Sequence, residues 1–344
     1  MDLKKFFFFV FLGLSLWIFQ HYDFKKHPPH SPVQTLHLAI WSGVIPKKLL
    51  REFQKKTGVS VQVSYYSTNE EFLAKLQAGM KGYDLALVTH YIVPILKKLD
   101  LIEAIEWNQI SARKALKKEF FSHPDAIPYA WGVTGIAINR KLFSGQVQTW
   151  KDLFLKKELK GKFSLLDDAR ELIGSALKAL GYSLNSTNVK QLQEAQALLI
   201  DAKTRVKAFT NEPKMALVHH EVAIVQIAMS DALQAKKKLG ETIEVIYPEE
   251  GSAIWVENLV IPKGAKNLKA AYLLVNFLMQ AENGLLILEN LSLLPVYHLS
   301  IPPHLKKNPF LFPPHSFLEK SEWFEEIGPA IQEWNKTWIQ IKVS

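Results

Sequence analysis

Between residues 36 and 89 the hydrophobic pattern changes period four times, and few folds accept that order. LHLAIW (36–41) is a short strand-like run. PKKLLREFQKKTG (46–58) has apolar residues at helical spacing, Pro46 near its first turn and Gly58 as a stop. VSVQVSYY (59–66) alternates as a half-buried strand does, TNEEFLAKLQAGM (68–80) is again helical, and YDLALVT (83–89) is a continuous apolar strand. Strands separated by helices pair in parallel, because each crossover returns the chain to the same end of the sheet. Ligands of such sheets bind beyond the carboxyl ends of the strands. Trp41 and Ser42 end the first strand, and Thr89, His90 and Tyr91 end the third. Both groups are therefore predicted to face one crevice. Rings at strand ends also serve plain packing, and His90 reads as a hydrogen-bonding or capping residue.

IPYAWGVTGIAINR (127–140) is long enough to leave one lobe and enter another. A second series of strands and helices follows: KFSLL (162–166), ARELIGSALKALG (169–181), QLQEAQALLIDA (191–202), VAIVQIA (222–228) and IEVIYP (243–248). SAIWVENLVIP (252–262) is a second long strand suited to a return crossing, and IPPHLKKNPFLFPPH (301–315) is a proline-rich third connection. The 344 residues suffice for two domains. The predicted fold class is α/β: two lobes, each a mostly parallel sheet flanked by helices, with a ligand cleft between them. The first lobe takes residues 36–136 plus 258–300, and the second takes 137–257 plus 301–344.

The N-terminus is of another kind. Lys4 and Lys5 precede FFFFVFLGLSLWIF (6–19), an apolar run of secretory-signal length. As a helix it spans about 20 Å, short of the ~30 Å hydrocarbon core of a bilayer. Residues 1–26 read as an export signal, which places the protein in the periplasm. Gln20, His21 and Tyr22 follow where a small-x-small cleavage site would stand, so retention as an inner-membrane anchor through residues 6–19 stays open. HPPHSP (27–32) begins a linker over 27–35.

Composition removes several classes of function. Without cysteine there are no disulfides, thiolate metal sites, catalytic thiols or lipid-modified cysteines. The net charge is +9, but the lysines fall in scattered pairs such as Lys47-Lys48 and Lys97-Lys98. That pattern describes solvated helix faces, and no basic stripe with interleaved aromatics points to nucleic acid. His219-His220 lacks metal spacing, and neither HExxH nor a glycine-rich phosphate loop occurs. Neither a metal nor a cofactor is expected.

In FSLLDDAREL (163–172) a strand leads into Asp168 and Glu171, one helical turn apart. Like charges at that spacing repel, so the pair needs a cause. Asp at an N-cap with Glu three residues on satisfies the first helical amides, and a helix N-terminus favours carboxylates by ~0.3–1 kcal/mol each. A cation held between the two is the other reading, compatible with the first if Asp168 caps with one oxygen and faces the crevice with the other. Arg170 is expected off that face, at the surface. Trp255 and Glu257, two apart on a strand, face the same way. Three carboxylates and the rings of Trp41, Tyr91 and Trp255 thus collect at crevice positions. A cation–π contact contributes about 0.5–2 kcal/mol, and an acid–amine pair at 4 Å gains about 4 kcal/mol at an effective dielectric near 20, before desolvation. A flexible aliphatic amine with several ammonium groups complements this set; an anion does not.

At these residues the sequence resembles the periplasmic spermidine/putrescine-binding proteins of bacterial ABC transporters. The likeness runs from Leu36 to about Gly328 through IWSGVIPKKLLREFQKKTGVSV, YDLALVTHYIV, IPYAWGVTGIAIN, LLDDARELIGSALKALGYSLNST, YPEEGSAIWVENLVIPKGAKN and SEWFEEIG. It implies a type II two-lobed solute-binding protein, monomeric and not an enzyme. Such a protein closes over a polyamine on hinge strands near Ala137 and Val256 and hands it to an inner-membrane ABC permease. By resemblance, Asp168 and Glu171 match the family's acids, Glu257 replaces an aspartate, and Trp41, Tyr91 and Trp255 match its rings. Ser42 and Thr89 stand at hydroxyl positions with Ser and Thr exchanged. Val44 and Leu293 stand where tyrosines are expected, Ala228 where a tryptophan is, and Phe324 where a glutamine is. These departures leave open a diverged binder, or a membrane-tethered sensor, for another small cationic or polar ligand. An acid/base enzyme is a third reading, but carboxylates on one helical turn do not flank a bond from opposite faces. The fate of the leader is checked by the intact mass of the exported protein: a signal is lost from it, an anchor is kept.

Overall fold

The computed structural model describes residues 34–121 and 123–344. The leader 1–26 and the linker as far as residue 33 lie outside the described residues. Among the described residues no single helix is long and apolar enough to cross a membrane.

Strands β1 (Thr35–Ile40), β2 (Ser60–Tyr65) and β3 (Leu85–Thr89) pair in parallel in the order β2-β1-β3. The helix Lys47–Thr57 joins the first two, buries Leu49 and Phe53, and stops at Gly58, whose φ of 74° suits a residue without Cβ. The helix Asn69–Gln77 starts at Thr68, whose hydroxyl accepts the Glu71 N–H. The remaining strands are β4 (Ile127–Asn139), β5 (Phe163–Leu166), β6 (Ala208–Thr210), β7 (Ile224–Ala228), β8 (Ile243–Ile246), β9 (Ala253–Val260), β10 (Leu294–Pro295) and β11 (Glu322–Trp323).

β4 belongs to both lobes. Its residues Ile127 to Val133 pair antiparallel with β9, which pairs antiparallel with β3 and completes the first sheet. From Thr134 to Asn139 its partners are β7 and β8, and β7 continues through β5 to β6 in the second sheet. β9 runs within the first sheet, so the return crossing falls in residues 247–252, just ahead of the long strand. The third connection follows β10, which still pairs with the first half of β4, and reaches a second-lobe core at Leu311 and Phe317.

Each lobe has its own apolar interior. Leu38, Phe53, Phe72, Leu87 and Leu259 fill the first; Trp150, Phe154, Phe163 and Leu177 fill one side of the second. The helix Ile331–Val343 closes the second lobe against the helix Val189–Lys203 by burying Trp334 and Ile341. Lys203 Nζ donates to the carbonyls of Ile341 and Lys342, and the Trp334 indole N–H donates to the Ser186 carbonyl at 3.0 Å. Replacing Trp334 with alanine removes this wedge and its hydrogen bond. The expected loss is about 3–5 kcal/mol of stability, read as a lower urea midpoint in ligand-free protein.

Candidate functional site

A cleft of about 570 Å³ opens between the lobes, and all eight residues singled out above line it: Trp41, Ser42, Thr89, Tyr91, Asp168, Glu171, Trp255 and Glu257. The first sheet supplies most of one wall from strand ends. Trp41 and Ser42 follow β1, Thr89 ends β3, Tyr91 lies in the 3-10 turn His90–Ile92, and Trp255 and Glu257 share one face of β9. The second lobe offers Asp168 and Glu171 where β5 gives way to the helix Ala169–Ala179.

Local chemistry fixes each acid. Asp168 is the N-cap of that helix, with Oδ1 accepting the Glu171 N–H at 3.0 Å. The reciprocal half of a capping box is not made. Glu171 instead accepts from the Thr134 hydroxyl at 2.9 Å, and its Oε2 is buried without a partner. Glu257 accepts the Trp41 indole N–H at 2.9 Å and the Thr89 hydroxyl at 3.3 Å. Among the described residues none of these three carboxylates forms an ion pair within 4.0 Å. Capping and exposure to the cleft coexist at Asp168, so the two readings of the pair were not rivals.

The rings are held as firmly. The Trp255 indole lies on Gly132 of β4, where a Cβ would come within 2.5 Å of it. Trp41 leans on Tyr66 with ring centroids 4.4 Å apart. Asn69 ties the wall together, its amide donating to Thr89 Oγ1 and Tyr91 Oη while its carbonyl accepts the Thr89 N–H. His90 lies behind this wall. Its Nδ1 accepts the Val256 N–H and its Nε2–H donates to the Phe324 carbonyl at 2.7 Å, so it is a hydrogen-bonding residue that joins β9 to the last crossing.

Arg170 overturns its expected place. It is 3% exposed, with its guanidinium 5.1 Å from the ring centre of Tyr91, 5.2 Å from Phe324 and 4.8 Å from Trp334. Those rings come from three distant parts of the chain, and helical spacing near residue 170 carries no sign of them. Its hydrogen bonds go to Asn185 Oδ1 and the Glu325 carbonyl, leaving the acids unpaired. Sequence reasoning also missed Asn69, Thr134, Lys214 and Glu70, whose Oε1 accepts the Tyr91 hydroxyl. The first three line or support the cleft from the first turns of two helices and the middle of a strand, positions that look like plain scaffold. Val44, Ala228, Leu293 and Phe324 all line the cleft, so the departures from the resembled family fall on its walls.

Electrostatics follow from burial without counter-charge. Burial, then the neighbouring Asp168, pushes Glu171 up to about 8 despite the Thr134 hydrogen bond. Burial pushes Glu257 up to about 7 against its Trp41 and Thr89 hydrogen bonds, and raises Asp168 as well. His90 moves the other way, down to about 4, because burial disfavours its charged form. A carboxyl group with a raised folded pKa stabilises the fold at low pH and loses that contribution as pH rises through the folded value. The depressed His90 acts oppositely, but only below its unfolded value near 6.5. Between pH 6.5 and 8.5 the carboxyl groups therefore dominate. Ligand-free protein should lose stability over that window, by on the order of 1 kcal/mol per pH unit for each group still titrating. Thermal melts of wild type and Glu171→Gln check this, with a shallower decline expected in the variant.

Comparison with known proteins accords with this geometry. Residues 48–313 match the family of bacterial extracellular solute-binding proteins. The spermidine/putrescine-binding periplasmic protein of Escherichia coli K12 is 31% identical over 321 residues, covering 90% of this chain and 91% of its own. The spermidine/putrescine ABC transporter substrate-binding protein of Streptococcus pneumoniae superposes with a TM-score of 0.74 at 29% identity, over 90% of this chain and 99% of that one. The TpPotD lipoprotein of Treponema pallidum gives 0.81 at 26% identity, over 90% and 100%. With its two α/β lobes and a cleft built from strand ends, the chain belongs to the bacterial extracellular solute-binding proteins.

Proposed function

We propose that the protein captures a polyamine of the spermidine/putrescine class between its lobes in the periplasm and delivers it, as a monomer, to an inner-membrane ABC permease. One observation carries this reading: Asp168, Glu171 and Glu257 face one cleft from two lobes, beside three rings, and none has a cation of its own. An ammonium group between Glu257 and the Asp168–Glu171 pair neutralises both walls, and Trp41, Tyr91 and Trp255 accept cations and pack methylenes. Closure follows because the guest is attracted to both lobes at once. The hinges belong where β4 changes sheets at Val133–Thr134 and in residues 247–252 ahead of β9, displaced from the expected Ala137 and Val256, and residues 6–19 direct export or anchoring. The protein is a binder and not an enzyme: Asp168 and Glu171 share one helical turn, and each already uses an oxygen to hold the scaffold.

Val44, Ala228 and Leu293 give the cleft aliphatic walls, which favours a second reading in which the same acids hold a smaller or differently shaped cation. Titration calorimetry with spermidine, putrescine and cadaverine separates the readings. At least one polyamine should bind, and Glu257→Gln should weaken it tenfold or more, since loss of one member strands a buried charge. The guest holds the carboxylates ionised, so groups near 7 and 8 in free protein should release protons on binding. Affinity should accordingly rise from pH 6 to 8, with heats that depend on the buffer's ionisation enthalpy. No heat from any of the three amines, in a folded sample, defeats polyamine capture.

A further inference from the structure

Not every acid on the cleft wall is free. Lys214, from the helix Pro213–Val218, lines the cleft, with Nζ 3.8 Å from where a side chain on Gly43 would begin. Its ammonium donates to Asp231 Oδ1 at 2.6 Å and Gln234 Oε1 at 2.9 Å. Gln234 is itself oriented by donating to the Leu291 carbonyl at 2.9 Å. Asp231 and Gln234 line the cleft as well, so this end contains a carboxylate whose cation is supplied by the chain. The other acids on the wall divide sharply. Glu71 is likewise paired, with Lys75 at 2.6 Å, and Glu212 is exposed to water. Among the described residues that line the cleft, Asp168, Glu171 and Glu257 are the acids set beside the rings without an ion pair; Glu70, which accepts the Tyr91 hydroxyl and is likewise without one, is not part of the lining.

Resting on the polyamine reading above, we infer that the Lys214–Asp231 pair makes the site select diamines over triamines. A diamine places its two ammonium groups at Glu257 and at the Asp168–Glu171 pair. A third ammonium at the Gly43 end meets a seat already filled, and must either displace Lys214 from two acceptors or remain beside a like charge. The chain thus carries in its own side chain the cation that a longer guest would bring.

Titration calorimetry on the folded protein tests this with putrescine, cadaverine and spermidine. The wild type should bind one of the diamines at least tenfold more tightly than spermidine. Lys214→Gln should free Asp231 and raise the spermidine-to-putrescine affinity ratio at least tenfold, and adding Asp231→Asn should abolish that gain. Spermidine binding equal to or tighter than the diamines in wild type overturns the inference. So does a ratio unmoved by Lys214→Gln, or a gain that survives in the double variant. These three outcomes leave polyamine capture standing, whereas silence with all three amines removes both. Thermal melts establish that the variants fold, and the wild-type preference decides the matter by itself if one does not.

Discussion

Carboxyl groups taken from water without a counter-ion are the constraint on which this cleft is built. Each would be cheaper to hold if a lysine or arginine stood beside it, and the protein has a net excess of such residues. It uses neutral donors at the site instead: an indole and a hydroxyl for Glu257, a hydroxyl for Glu171, a helix N-terminus for Asp168. Neutral donors orient a carboxylate without cancelling its charge. The resulting electrostatic tension raises the proton affinity of the acids, and a cation seated among them would relieve it.

The frame explains why the tension is shared by two bodies. The first sheet presents Trp41, Thr89, Trp255 and Glu257 from β1, β3 and β9, and the second lobe brings Asp168 and Glu171 from the end of β5. Thr134, which holds Glu171, is the residue at which β4 changes its partners from one sheet to the other. Glu171 is therefore tied by its hydrogen bond to the seam between the two sheets. Arg170 sits behind the acids in a cage of three rings, lowering the cost of the negative charges through space without occupying their seats.

The parts of this arrangement that could be read from the chain are those encoded locally. Alternating periods specify the strand–helix order, strand ends specify the crevice, and spacings of two and three residues specify which side chains point together. Asp168, Glu171, Trp255 and Glu257 were legible for that reason. Arg170 was misplaced because its neighbours are fixed by tertiary packing: Tyr91, Phe324 and Trp334 approach it only after both lobes have formed. Thr134 sits inside a strand and Asn69 in the first turn of a helix, with no local mark of their task. The lysine at position 214 looked like any other solvated base, since only its partners on another helix give it meaning.

Asp168 has two employments, and they are not equally replaceable. One oxygen terminates the helix Ala169–Ala179 at its first turn, a duty that persists whatever molecule the protein carries. A change of cargo would leave the need for a capping side chain at this position in place, yet Asn, Ser or Thr would meet it without the charge. The backbone thus asks for an acceptor at position 168, and only a cationic cargo asks for a carboxylate.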